Sequence, residues 1–270
     1  ELYSAYQYEN GKIPCVVDKR GPDPVPENDS HGEYLFLLNQ YSNYTKDTLL
    51  LRKYFSNIIK TVEYIESLVS TRKSDELLKS SSDSMKAFYG IMPESISHEG
   101  YSEKPMHSNW DNLFTIKGLK DAVTMAEVLR EEKYIRKFSK IRDEFAENYL
   151  RSISLSMKYK KIDYIPGCVE LGDFDATSTT IALYPCNEQH RLPKKELENT
   201  FDIYYDFFIK RKENGIDWVN YTPYEVRTIG SMILLGQKEK AAELIEYFLN
   251  DSRPKGWNHW AEVVWKDYRL

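Results

Sequence analysis

HSNWDNLFTIKGLKDAVTMAEVLR, residues 107–130, decides how this chain is read. Leu113, Ile116, Leu119, Val123 and Ala126 recur three or four residues apart, which is the spacing of one face of an α-helix. The spacing predicts a helix from Trp110 to Arg130. Directly before it stands YGIMPESISHEGYSEKPM, residues 89–106, a polar stretch with Glu94, Glu99 and Glu103 set among prolines and tyrosines. Long polar loops are uncommon inside compact domains, and those that occur are usually functional or disordered. A helix that starts out of an acidic, aromatic loop is therefore the pattern to look for elsewhere.

Working outward, the same pattern returns. Leu49, Leu50, Tyr54, Ile58, Val62 and Ile65 carry a helical stripe that Thr45 is placed to cap. A helix from His31 to Asn43 precedes it, with Asp29 or Ser30 as N-cap behind the proline-rich GPDPVPENDS. Residues 74–84 read as a short exposed segment. Further helices are expected over 133–157, from the GDFDATSTT cap to Tyr184, over 194–212, 224–235 and 238–250, and from Trp257 onward. Gly236 suits the end of a helix in an αα-turn. Strand signals are few and no fixed repeat period is present, which argues against a repeat solenoid. The fold class is all-α, built from antiparallel helix pairs joined alternately by short turns and long loops. That alternation suits a toroid of helical hairpins with one functional face.

Bulk properties narrow the function classes. The chain has 270 residues, 41% hydrophobic and 29% charged, with a net charge of −5. A sizeable core is possible at this length. The charge balance speaks against a nucleic-acid partner, and no apolar run reaches the roughly 18 residues of a membrane span. Cys15, Cys168 and Cys186 show neither CxxC nor zinc spacing and read as small buried residues. Aromatic residues make up 14%, including 21 tyrosines. Most such rings pack between helices, but Tyr and Trp also suit a wet concave surface for sugar rings.

Four loops combine carboxylates with aromatics or amides, each at or before a helix start: residues 26–32, 89–112, 172–179 and 257–262. Capping of the helix by Asp29, Asp111 and Asp175 is the plain reading. It leaves Trp110, Trp257 and Trp260 unexplained. Glycosidic cleavage needs two carboxyl groups, one protonated to assist the leaving oxygen and one ionised. Apolar surroundings hold an acid protonated, and Glu94 in IleMetPro-Glu and Glu262 in HisTrpAla-Glu both have such neighbours. His98, Glu99 and His107 lack the spacing of a zinc site, and no HExxH, Walker A, GxSxG or GxGxxG motif occurs. No metal or cofactor is expected.

These motifs resemble the six-hairpin glycosidases, the (α/α)6-barrel superfamily of glucoamylases, trehalases and processing α-glucosidases. ProGluAsnAspSerHisGlyGluTyr at 26–34 is similar to a glucoamylase-type ProGlnAsnAspGly segment. HisSerAsnTrpAspAsnLeuPhe at 107–114 resembles the trehalase-like TrpAsp-x-x-Phe element, with Asn109 where an aromatic is common. GlyTrpAsnHisTrpAlaGluValVal at 256–264 resembles a C-terminal element of bacterial members. The likeness spans about residues 10–267. It implies an inverting glycoside hydrolase acting on an oligosaccharide or glycoside, in one (α/α)6-type catalytic domain over 1–270. The general acid would be Glu94 or Glu99 and the base Glu262. Asp29, His107, Trp110, Asp111, Asp175, Trp257 and Trp260 would bind substrate. The alternative is a carbohydrate-binding or scaffold protein that keeps the toroid without turnover. Fewer than twelve helices are visible, so the toroid is expected to be incomplete here and the chain part of a longer polypeptide.

Overall fold

The structure is a computed structural model and describes residues 1–97, 100–216 and 223–250. It is predominantly helical, and the described residues form no closed sheet. The chain divides into two compact units. The first comprises Glu1–Ile162 with Pro166–Asp173, the second Asp163–Ile165 with the residues from Phe174 onward.

In the first unit, α1 (Leu2–Ala5) and the two-residue strands β1 (Val17–Asp18) and β2 (Gly21–Pro22) form an N-terminal arm. The strands pair antiparallel, Val17 with Pro22 and Asp18 with Gly21. Two long hairpins follow: α2 (Asp29–Thr45) with α3 (Thr48–Ser70), and α6 (Asn109–Leu129) with α7 (Glu132–Lys160). The short α4 (Asp75–Lys79) and α5 (Asp83–Lys86) lie between them in the chain. Both hairpin turns are tight. Lys46 and Arg130 end their first helices in the left-handed conformation, at φ 59° and 58°.

The helices differ in how much of their circumference is covered. α3 is amphipathic and buries Leu51, Phe55, Ile58, Val62, Ile65 and Val69, three or four residues apart as one face requires. α6 is buried nearly all round, including Asn109, Asp111, Asn112, Thr115 and Asp121. A helix covered on every side is an inner helix, and its polar residues must find partners. Asn112 accepts from the Met92 N–H at 3.0 Å and donates to the Ser108 carbonyl at 2.6 Å.

α2 and α6 lie side by side and run parallel. Near their starts, the Trp110 indole N–H donates to Asp29 Oδ2 at 2.7 Å. Further along, Asn39 Nδ2 donates to Asp121 Oδ1 at 2.7 Å. Between these points two glycines meet. A Cβ on Gly32 would stand 2.0 Å from the Phe114 carbonyl oxygen, and one on Gly118 would stand 2.6 Å from Gly32 Cα. Only the missing side chains let the backbones approach so closely. Lys117 lies over the Phe36 ring at 4.7 Å and reaches Asp121 at 2.5 Å, bridging the middle of the pair.

The second unit contains α8 (Ala176–Leu183), α9 (Lys194–Lys212), a 3₁₀ turn at Pro223–Val226, α10 (Arg227–Leu234) and α11 (Lys238–Asn250). Phe208 meets Tyr247 edge-on at 5.1 Å and Phe248 at 6.1 Å, joining α9 to α11. Arg211 grips Glu225 through both guanidinium ends, at 3.0 and 2.6 Å, and the Tyr204 hydroxyl donates to the same carboxylate at 2.7 Å. Gly236 follows α10 at φ 78°, as the αα-turn reading requires.

Several local expectations need correction. α2 starts at Asp29, its N-cap is Asn28, and that side chain makes no capping bond; Asp29 and Ser30 lie inside the first turn. Asp47, not Thr45, caps α3, accepting from the Leu49 and Leu50 N–H groups at 3.0 and 3.1 Å. Residues 74–84 are not merely an exposed stretch, because Ser74 caps α4 through the Leu77 N–H and Leu77 is buried. The start expected at Trp257 lies outside the described residues.

Gly118→Ala is expected to destabilise the protein by about 1–3 kcal/mol through overpacking. Gly230→Ala on α10, where nothing lies within 4 Å of the added carbon, should stabilise it by about 0.5–1 kcal/mol. Urea midpoints of the two variants check both signs.

Candidate functional site

The loop from Ile91 to Ser108 lies against the starting ends of α2 and α6. The Asn28 side chain donates to the Pro93 carbonyl at 3.0 Å, and the Ile96 N–H donates to the Pro26 carbonyl at 3.2 Å. Ser95 and Met106 exchange backbone hydrogen bonds, both at 3.0 Å, which folds the loop back on itself. Ser95 Oγ donates to Asp111 Oδ2 at 2.5 Å, Ser97 Oγ donates to Ser108 Oγ at 2.9 Å, and Ser108 Oγ accepts from the Trp110 N–H that opens α6. Ser97 holds φ 41°, a left-handed conformation uncommon outside glycine.

Asp29 and Asp111 thus share the buried inner side of the loop. Neither caps its helix: Asn28 and Ser108 hold those positions. Asp111 is fully buried, and its Oδ1 has no hydrogen-bond partner among the described residues. Burial first, and the charge of Asp29 second, push the Asp111 carboxyl well above the usual range, against the hydroxyls of Ser95 and Ser97. Trp110 packs on Phe114 at 5.1 Å between ring centres and is 7% exposed.

The other side of the loop carries a second group. His107 is buried, with Nδ1 at 2.6 Å from Glu170 Oε1, and its own backbone N–H donates to both Glu170 oxygens, at 3.2 and 3.0 Å. Its Nε2 stands 3.3 Å from Glu94 Oε2, off the line of a hydrogen bond. The Glu94 side chain is 52% exposed against 6% for His107, so the carboxylate is open to solvent while the imidazole behind it is not. Arg72 approaches the same carboxylate oxygen at 3.8 Å. The Phe88 ring packs edge-on against His107 at 4.7 Å and lies under Arg72 at 5.9 Å. Burial raises the Glu170 carboxyl, but the hydrogen bonds and charge of His107 outweigh it and hold the group below its ordinary value.

The remaining sequence candidates fall elsewhere. Asp175 caps α8 in the second unit, where its side chain accepts from the Ser178 N–H at 2.9 Å and from the Ser178 hydroxyl. Asn109 fixes the 166–173 loop, with its backbone N–H donating to the Gly167 carbonyl at 2.8 Å and Nδ2 to the Pro166 carbonyl at 2.5 Å. Glu99, Trp257, Trp260 and Glu262 lie outside the described residues. Cys168 and Cys186 are buried, and Cys15 is partly so. A cavity of about 370 Å³ opens along α2 between Tyr3, Ile13, Cys15, Tyr34, Leu37 and Phe114. Neither Glu94 nor His107 lines it, so this cavity and the carboxylate chemistry point to different places. The chemistry is the better guide, because the cavity walls are mainly apolar. Sequence reasoning missed Glu170, which sits 63 residues from His107 in an unremarkable GCVELGD loop.

Among the described residues no group of three His, Cys, Asp or Glu is arranged to hold a metal ion, and no helix is long and apolar enough to cross a membrane. No family model and no curated protein matches the sequence.

The two carboxyls predict opposite pH behaviour. The raised Asp111 group stabilises the fold below its unfolded value of 3.8, and that contribution is lost as pH rises through the folded value. Asp111→Asn should therefore gain stability relative to the native protein as pH goes from 4 towards 7. The depressed Glu170 group contributes above its unfolded value of 4.5 and loses that contribution as pH falls through the folded value. Glu170→Gln should cost stability at pH 7 and little at the acid end. Urea midpoints across that window read both slopes.

Proposed function

We propose that the chain is a glycoside hydrolase of the six-hairpin, (α/α)6 kind, cleaving a glycosidic bond of an oligosaccharide by inversion. The observation that carries this reading is Glu94. It is a half-exposed carboxylate on a loop laid across the starts of two parallel helices, beside a buried histidine. In the proposed reaction Glu94 gives its proton to the glycosidic oxygen as the bond to the anomeric carbon breaks. Glu262, assigned by the resemblance, removes a proton from the water that attacks that carbon from the opposite face.

Carbohydrate binding without turnover is the second reading. It is favoured by the state of Asp29 and Asp111, which are buried and held by Trp110 and Ser95 rather than open to a substrate.

Glu94→Gln and Glu262→Gln are each expected to lower hydrolysis of aryl α-glucosides and α-linked glucobioses by at least about 10²-fold. For Glu94→Gln the melting temperature should stay unchanged, since loose exposed ion pairs contribute little to stability. Full activity in both variants would remove the assigned roles. Oligosaccharide binding by calorimetry with no release of reducing sugar from the native protein would select the second reading.

A further inference from the structure

The cavity of about 370 Å³ along α2 is lined by four rings, those of Tyr3, Tyr34, Phe36 and Phe114. Tyr34 and Phe114 are buried, while Tyr3 and Phe36 are half-buried. Glu33 and Leu37, one helical turn apart on α2, are exposed and complete the same wall. Among the described residues no lysine, arginine or histidine lines it. The volume falls within the roughly 300–1,000 Å³ of small-molecule sites, whose walls are apolar and aromatic with a few placed polar groups.

Most polar groups of the wall are engaged with the protein. The Tyr34 hydroxyl shares a hydrogen bond with Ser4 Oγ at 2.9 Å, Ser30 Oγ donates to the Glu27 carbonyl at 3.0 Å, and the Tyr3 hydroxyl donates to the Cys15 carbonyl at 3.4 Å. A sugar, rich in hydroxyls, would leave many of them unpaired here, and unpaired buried polar groups are costly. A primary ammonium has three N–H donors to satisfy and meets the same shortage. Burial first, and the charges of Glu27 and Asp23 next, push the Cys15 thiol up to about 11, so it stays a neutral thiol and not a nucleophile near neutral pH.

What the wall offers a guest is aromatic surface and negative potential. Glu33 puts a carboxylate on the wall itself, and Glu27 and Asp23 stand close enough to act on Cys15. The lysines next to lining residues are turned to other partners. Lys12 donates to the Pro24 carbonyl at 2.6 Å, and Lys117 pairs with Asp121 at 2.5 Å while its ammonium lies 4.7 Å from the Phe36 ring centre. Phe36 thus already carries one cation against its ring.

We propose that this cavity binds a small organic cation, specifically a quaternary alkylammonium. Aromatic faces attract such a cation, carboxylates attract it from a distance, and its alkyl shell needs no hydrogen bond. The site does not depend on the hydrolase reading, since the loop that carries Glu94 does not line it.

The test is calorimetric titration of the full chain with choline, with ethanolamine, and with the neutral carbon isostere in which a tert-butyl group replaces the trimethylammonium. Choline should bind at least about fivefold more tightly than either, which is what a partly covered cation on aromatic rings supplies. Glu33→Gln should weaken choline about threefold, as loss of one exposed charge does, and leave the isostere unchanged. Leu37 is 58% exposed, so Leu37→Lys should keep the native melting temperature while its fixed cation abolishes choline binding. No measurable choline binding, equal affinity for choline and either analogue, or unchanged choline affinity in both variants overturns the proposal. A dimer of the native chain that Leu37→Lys dissolves also overturns it, because a second copy would then occupy the cavity. Loss of glycoside hydrolysis in any assay bears on the hydrolase reading alone.

Discussion

The contact between Gly32 and Gly118 sets the geometry of the first unit. Helices usually pack with axes about 8–10 Å apart, the distance depending on the side chains between them. Here each helix presents bare backbone to the other, and the Phe114 carbonyl and Gly32 Cα occupy the space where side chains would stand. The consequences run both ways along the pair. Towards the helix starts the approach brings Trp110 within 2.7 Å of Asp29. Towards the far end it lets Asn39 and Lys117 converge on Asp121. Replacing these small residues with larger ones would part the first turns before it disturbed the core of α3 or α7.

The first turns hold an arrangement that costs free energy. Two carboxyls share one buried side of a loop, and one oxygen of Asp111 has no partner among the described residues. An unpaired buried acceptor costs on the order of 1–3 kcal/mol. Ser97 adds backbone strain within the same loop. Strained backbone of this kind is found clustered at functional sites. Favourable terms are nonetheless present, since negative charge suits the starting end of a helix and Trp110 and Ser95 each donate to a carboxylate.

Periodicity made most of the helices legible, because the stripe on α3 and the alternating short turns follow from burial of one face. Caps were less legible. Asp29 looked like a cap because an aspartate before an apolar run satisfies the rule, but Asn28 took the position and drew Asp29 into the first turn. Asp175 met the same rule and does cap. The difference comes from tertiary packing, since Asp29 is held by an indole from another helix. Glu94 and His107 stand out in the sequence as titratable residues on one loop, whereas the contact of Glu170 with His107 does not. Its role depends on a backbone crossing between Val169 and His107, whose N–H···O distance is 3.1 Å, and residue spacing carries no trace of such a crossing.

The middle of the glycine-packed pair has a consequence of another kind. Lys117 is a largely covered amine, with Asp121 at 2.5 Å and the Phe36 face at 4.7 Å. A side chain covered in that way is hard for a reagent to approach. Acylating labels should therefore modify exposed lysines such as Lys194 long before Lys117. The moment at which Lys117 becomes reactive would report the parting of α2 from α6, which gives the first unit an internal chemical marker of its own integrity.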